Sequence, residues 1–276
     1  ETTSSTISEL YTEIVAEALF VASEQSIMRN LVRNYTIVGG GKSVEVPIYA
    51  TVSAGAVSEA SDLSNTAVNP SSVTITASEV GIMTTLTDLA RNSASRNVAG
   101  DIGRLFGEAI ARKIDADLSA LFTGFSTEKA GGAGQELTVQ DIFEASAELR
   151  TANAPAPYYG VFHPKQIFNV KKSLTNTFVG RDTELSNEAM RGGFVGNIAG
   201  VQIFESSNIS VDGSDDSIGG VFSQDALALA MMQDLKLETQ RDASLRADEI
   251  VATAVYGVSE IHDSYGVKLT ADTLAT

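Results

Sequence analysis

An α+β fold is the prediction for this chain, and three observations make it. Residues 97–122 repeat apolar side chains at helical spacing. Residues 44–48 and 73–78 alternate apolar and polar side chains with the period of a strand. Helical and strand patterns then mix without the regular strand–helix–strand alternation of a parallel sheet. The 276 residues, 43% of them hydrophobic, suffice for one large domain or two smaller lobes, each with a core.

The elements follow in order. Residues 6–28 read as an amphipathic helix that opens on a capping box, Thr6 with Glu9. Leu10, Tyr11, Ile14, Val15, Ala18, Leu19 and Ala22 form one stripe, with Glu13, Glu17 and Glu24 away from it. Phe20 falls off the stripe and marks a second contact surface. Gly39-Gly40-Gly41 ends this arm. Val44, Val46 and Ile48 then alternate with Ser43, Glu45 and Pro47. Proline has no N–H to give a ladder, so this strand has a free edge. Residues 51–71 read as a Ser-, Ala-, Asn- and Gly-rich loop, and a second strand carries Val73, Ile75 and Ala77 on one face. Together they form a long hairpin with a broad tip. A two-stranded hairpin is marginal in water unless its apolar face is covered. Two covers stay open: the chain's own core, or a neighbouring subunit.

Residues 97–122 are the clearest helix. Val98, Ile102, Leu105, Phe106, Ala109, Ile110, Ile114, Leu118, Leu121 and Phe122 mark one face. Asp101, Arg104, Glu108, Arg112 and Asp115 take the rest, with Glu108 and Arg112 as an i,i+4 pair. At about 1.5 Å per residue the rod is about 40 Å long. Thr123-Gly124 ends it. Residues 130–134, rich in Gly and Ala, read as a boundary. A helix at 139–149, a strand at 158–162, a helix at 164–174 and a polar Gly-rich segment to Gly196 come next. Strands are expected at 201–205 and 220–223, with a solvated turn at 212–217 between them. A short Ala/Leu/Met helix at 225–231 leads to a strand at 235–241. The chain closes with a long strand at 250–262, a turn at 263–266 and a strand at 267–270.

Chemistry is sparse. The chain has no cysteine, which excludes disulfides and thiolate metal sites, and its two histidines, His163 and His262, are too few for a cluster. No cofactor and no metal are expected. Its 19 basic and 35 acidic residues leave a formal charge of −16, against the basic face of a sequence-reading nucleic-acid binder. No apolar run approaches the roughly 20 residues of a membrane span, so no membrane partner is expected. Residues 1–5 carry neither a basic region nor an apolar core and do not read as a secretory signal. Gly41-Lys42-Ser43 mimics the end of a phosphate-binding loop, but Thr36 stands where the first glycine is needed and a strand follows instead of a helix. No G-x-S-x-G occurs. His163 sits at a strand-to-helix junction, suited to capping, and His262 ends a strand beside Asp263. Asp212, Asp215 and Asp216 lack the glycine and glutamate of a calcium loop. Arg91, Arg96, Arg104 and Arg112 surround the long helix, where they read as exposed charge worth little to stability, or as partners for acidic residues of a neighbour.

The order of elements resembles the Hong Kong 97-type fold of tailed-phage major capsid proteins. Five places carry the resemblance: Gly41-Lys42-Ser43-Val44-Glu45-Val46-Pro47; Leu86-Thr87-Asp88-Leu89; Val161-Phe162-His163-Pro164; Gly220-Val221-Phe222 with Ala226-Leu227-Ala228-Leu229-Ala230; and Tyr256-Gly257-Val258 with Tyr265-Gly266-Val267. The Gly-Lys-Ser opening is similar to that of short-tailed phages. The resemblance implies an N-terminal arm at 1–39, an extended loop at 40–80 and a peripheral domain at 81–130 with the long helix as its spine. It further implies an axial domain at 131–245 and C-terminal strands at 246–276 returning to the peripheral domain.

By the same resemblance the chain is a structural protein and not an enzyme. It forms pentamers and hexamers of an icosahedral virion shell around double-stranded DNA, assembled in the host bacterial cytoplasm with portal, scaffolding and cement proteins. Some members cross-link a loop lysine to a neighbour's asparagine. Here Lys42 is the only lysine of the hairpin and sits at its base, so no such bond is expected. The expected subunit interface is Leu10, Ile14 and Leu19 of the arm with Val44, Val46, Ile48, Val73 and Ile75 of the hairpin. Alternatives are an encapsulin-like compartment with protein cargo, a tail-tube or other virion protein, or a hydrolase using His163 or His262. Acidic subunits repel one another, and about 0.15 M salt screens charges beyond about 8 Å. Shell yield, followed by light scattering, is therefore expected to rise with salt; a yield that falls would remove charge balance as the control.

Overall fold

The structure, a computed structural model, describes residues 26–49, 54, 56, 68, 70–93, 98–129, 132–178 and 196–273. The helix expected at 6–28, with Leu10, Ile14 and Leu19, lies outside these except for its last three residues, which lead into a 3-10 turn at Met28–Asn30. A short helix α1 (Asp88–Ser93) precedes the long helix α2 (Val98–Ala120). Phe106, Ile110, Ile114 and Leu118 of α2 are buried at i, i+4, i+8 and i+12, the spacing that keeps one stripe inward. Leu105, expected on that stripe, is instead 61% exposed, because it points one residue's rotation away from Phe106. A 3-10 turn, Leu121–Gly124, closes the helix, with Phe125 N–H donating to the Phe122 carbonyl.

The buried stripe rests on a four-stranded sheet. Its strands are β1 (Arg33–Thr36), β4 (Ser78–Thr87), β10 (Leu227–Asp242) and β11 (Ala247–Glu260), in the order β1-β10-β11-β4. β1 runs parallel to β10, and the other pairs are antiparallel. Leu235 and Leu237, Ile250 and Ala252, and the half-buried Val80 and Ile82 face the helix. Tyr256 of β11 donates its hydroxyl to Asp117 of α2 at 2.8 Å, which ties helix to sheet. Burial and that carboxylate push the Tyr256 pKa up. At the far end of the sheet Arg241 grips both oxygens of Asp88, at 2.6 and 2.8 Å, and reaches Asp248 at 3.2 Å. The forked guanidinium matches a carboxylate in that geometry.

One expected helix is corrected here. Residues 225–231 are not a helix; all but the first two of them begin β10. Leu227 and Leu229 pack under α2, whereas Ala228 and Ala230 face the opposite side, and all four are buried. A strand covered on both faces satisfies alanine and leucine alike, and that packing overrides their helix propensity. Met28, Leu31 and Val32 are part of the core under α2, and residues 33–36 form an edge strand.

The second sheet has six strands: β5 (Glu128–Lys129), β6 (Tyr158–Phe162), β7 (Asn197–Ile198), β8 (Val201–Glu205), β9 (Asp216–Ser223) and β12 (Gly266–Asp272), in the order β5-β12-β9-β6-β8-β7. Helices α3 (Val139–Thr151) and α4 (Pro164–Phe178) cover one face. α3 opens on a capping box, in which Thr138 accepts from the Asp141 N–H and the Asp141 carboxylate accepts from Thr138 N–H. Phe162, Val221 and Leu269 pack with Leu137, Ile142, Leu149 and Ile167 on that side. Val161 and Phe222, one residue along, turn to the core around α2. α4 is pinned by Gln166, whose amide donates to the carbonyls of Ser217 and Ala271. The solvated turn expected at 212–217 ends buried: Asp216 is within β9 and accepts from Gly134 N–H at 2.7 Å.

Each sheet gathers strands from distant parts of the chain. β10 pairs with β11 in the four-stranded sheet, and β12, which follows β11 in the chain, pairs with β9 in the six-stranded sheet. The junction is held by aromatic rings on glycine. Phe122 lies 5.5 Å from Phe222, centroid to centroid, and a Cβ on Gly220 would stand 2.7 Å from the Phe122 ring. A Cβ on Gly266 would stand 2.1 Å from the fully buried Phe125 ring. Gly266 has an extended backbone open to any residue, so its constraint is space alone. Gly266→Ala is expected to cost about 1–3 kcal/mol through overpacking, read as a lower urea midpoint of the dispersed subunit.

Candidate functional site

The hairpin is a part of the chain whose apolar face its own fold covers incompletely. Its strands, β2 (Ser43–Ile48) and β3 (Ser71–Thr76), pair antiparallel with Val44 opposite Ile75, Val46 opposite Val73 and Ile48 opposite Ser71. Residues directly opposite share a face, so Val44, Val46, Ile48, Val73 and Ile75 form one apolar surface. Gly39 and Gly40 enter it with φ of +91° and +81°, a left-handed turn that side chains resist. Ala77 N–H donates to the Lys42 carbonyl at 2.7 Å and closes the base. No helix follows Lys42, so the phosphate-loop likeness ends there.

The base of the hairpin sits on the face of the four-stranded sheet opposite α2. Val46, Ile75 and Ala77 pack with Ile37, Ala228, Ala230 and Ile261, and Val44, Ile48, Tyr35 and Val255 border them. A Cβ on Gly257 would stand 2.4 Å from the Thr76 carbonyl oxygen, so only glycine lets β3 settle this close to β11. The residues of the expected interface differ in burial. Val46 is 5% and Ile75 1% exposed, covered by their own chain. Val44, Ile48 and Val73 are only half-buried, and Tyr49 just beyond is 65% exposed. Leu10, Ile14 and Leu19 lie outside the described residues.

Beside the base runs a cleft of about 300 Å³ lined by Arg33, Tyr35, Val46, Pro47, Asp225, Ile261 and His262. Arg33 and Asp225 form an ion pair across it. His262 stacks on Tyr265 with ring centroids 4.6 Å apart, and burial pushes its pKa down. His163 accepts the Lys165 N–H on Nδ1, and burial with the nearby Lys165 charge pushes its pKa down too. Both histidines thus have packing or capping roles. Arg104 and Arg112 both pair with Glu108 on the outer side of α2. Among the described residues no group of three or more His, Asp or Glu is placed to hold a metal ion, and no helix is long and apolar enough to cross a membrane.

Other exposed apolar side chains escaped the sequence reading. Met83 on β4, Leu89 on α1, Phe143 on α3, Phe168 on α4 and Leu245 in the β10–β11 turn are each more than half exposed. Periodicity places apolar residues on a face but does not say which of them the fold leaves uncovered.

Residues 70–268 match the family described as phage capsid protein. No curated protein matches the chain. Solved capsids share its fold. That of cyanophage P-SCSP1u has a TM-score of 0.70 at 18% identity, covering 89% of this chain and 88% of that one. The capsid of Ralstonia phage GP4 gives 0.71 at 10% identity, over 89% and 88%. A chain of Mycobacterium phage Che8 gives 0.65 at 22% identity, over 83% and 84%. With its family matched over residues 70–268 and its fold shared over most of its length, this chain belongs to the phage capsid proteins and carries the Hong Kong 97-type architecture that its order of elements predicts.

Proposed function

We propose that the chain is the major capsid protein of a tailed bacteriophage, a structural subunit whose copies form the pentamers and hexamers of an icosahedral shell around double-stranded DNA. One observation carries this within a capsid family: an apolar hairpin seated on its own sheet at the base and only half-buried farther out. The half-buried part, with Ile48, Val73 and the exposed Tyr49 just beyond, is suited to lie on a neighbour, as is the arm stripe of Leu10, Ile14 and Leu19. Each contact buries apolar surface worth about 25 cal/mol per Å² before association costs. Many modest contacts add up to a strong shell while single errors still dissociate.

In this reading the four-stranded sheet with α2 is the peripheral part, and the six-stranded sheet with α3 and α4 is the axial part. Portal, scaffolding and cement proteins are the expected further partners, and assembly takes place in the host cytoplasm. The charge of −16 suits a wall that encloses DNA without gripping its sequence. Electron microscopy of the concentrated full chain tests the proposal. Closed shells support it; rings, tubes or persistent monomers overturn it. DNA within native particles, as against protein cargo, separates a phage head from a compartment shell.

The two halves of the hairpin separate in mutants. Ile75→Ala, in the buried base, is expected to cost about 2–5 kcal/mol of subunit stability, read by chemical denaturation. Tyr49→Ser, on the open part, leaves that stability within about 0.5 kcal/mol and lowers the yield of shells by sedimentation. Deletion of residues 52–69 leaves a folded subunit that forms no shells; intact particles from that variant would remove the hairpin from assembly.

A further inference from the structure

A carboxylate buried in the spine helix has partners that the fold alone does not require. Asp115 of α2 is fully buried. Its Oδ1 accepts from the Ser26 hydroxyl at 2.7 Å and from Met28 N–H at 3.1 Å, and its Oδ2 accepts from Ile27 N–H at 3.1 Å. The carboxylate thus caps the turn Met28–Asn30 from a helix almost ninety residues away. Burial pushes its pKa up, and the hydrogen bonds from residues 26–28 pull it back. An uncompensated charge here would be strongly unfavourable, and an apolar residue of similar size would pack against the same core at no desolvation cost. All three donors belong to residues 26–28, next to the arm of residues 1–25. Met28, Leu31 and Val32 then enter the core beside α2.

We propose that Asp115 is the positioning residue of the arm: it fixes the point and direction from which residues 1–25 leave the subunit, so that each arm meets the neighbouring copy in one register. The inference rests on the reading of the chain as a shell subunit whose arm docks on its neighbours. It adds which residue sets the geometry of that docking.

The test compares Asp115→Asn with Tyr256→Phe in the full chain. The first turns an acceptor into a donor facing Ile27 N–H; the second removes a bond from the neighbouring Asp117 to β11 and leaves residues 26–28 alone. In dispersed Asp115→Asn subunits, amide exchange at Ile27 and Met28 is expected to rise about tenfold or more while exchange in β10 and β11 is unchanged. Shell yield falls with it. Tyr256→Phe lowers thermal stability but leaves both readouts at wild-type values. Unchanged exchange in Asp115→Asn, wild-type shell yield from it, or the same assembly defect in Tyr256→Phe overturns the proposal. If Asp115→Asn does not fold, Ser26→Ala removes one donor and leaves the charge and its backbone partners. Faster exchange at Ile27 and Met28 with fewer shells supports the proposal, and wild-type behaviour overturns it. Deletion of residues 1–25 keeps the two failures apart. Normal shells from the deletion remove the docking role of the arm itself, whereas lost shells from the deletion with normal shells from Asp115→Asn remove only the anchor.

Discussion

The alternation of leucine and alanine over residues 227–230 is the constraint on which the stacking of this molecule depends. Leu227 and Leu229 fill the space under the spine helix, and Ala228 and Ala230 keep the other face of the same strand low. The low face is where the hairpin base sits, with Gly257 of the adjacent strand removing the last obstacle to Thr76. Exchanging the two faces by a one-residue slip would put leucines under the hairpin and alanines under the helix. Neither layer would then close.

The same strand shows why the sequence was only partly legible. Where one face is buried and the other wet, as in 44–48 and 73–76, period two stood out and the strands were found. The expected strands at 158–162 and 201–205 are present, and both are rich in β-branched or aromatic side chains. Residues 227–230 are buried on both faces, and their alanines and leucines carry no polar beat to separate strand from helix. The strand at 78–87 did carry a beat, Val80, Ile82 and Leu86 inward against Glu79, Met83 and Thr85, and went unread because Thr and Gly dilute it. Thr138-Val139-Gln140-Asp141 was a readable cap. Asp115 was not readable: beside Ile114 it counts as one more polar residue of an amphipathic helix, and its partners come from a distant segment.

For the candidate interface the limit was different. Pattern assigned Val44, Val46, Ile48, Val73 and Ile75 to one face, and that face exists. Which part of it belongs to the subunit is a property of how far the hairpin extends past the sheet beneath. Val46 and Ile75 fall over Ala228 and Ala230, whereas Ile48 and Val73 lie at the margin. Spacing along the chain holds no information on that overhang, because the supporting surface comes from residues about 150 positions away.

The two limbs of the subunit share one short strand. Residues 26–32 lie under the spine helix, residues 33–36 pair in parallel with β10 at the sheet edge, and the chain then rises through Gly39 and Gly40 onto the opposite face to begin the hairpin. The segment therefore passes from one side of the sheet to the other around its edge. Its position is set at one end by the Asp115 carboxylate and at the other by Ile37, whose N–H donates to the Met231 carbonyl at 2.9 Å. A four-strand sheet needs no such edge strand to cover α2, since β10, β11 and β4 already supply Leu235, Ile250 and Ile82. What β1 adds is a fixed relation between the root of the arm and the root of the hairpin. A shift of β1 along β10 would carry residues 26–32 and the root of the hairpin with it, so the segment under the helix and the hairpin on the opposite face are held to a single frame.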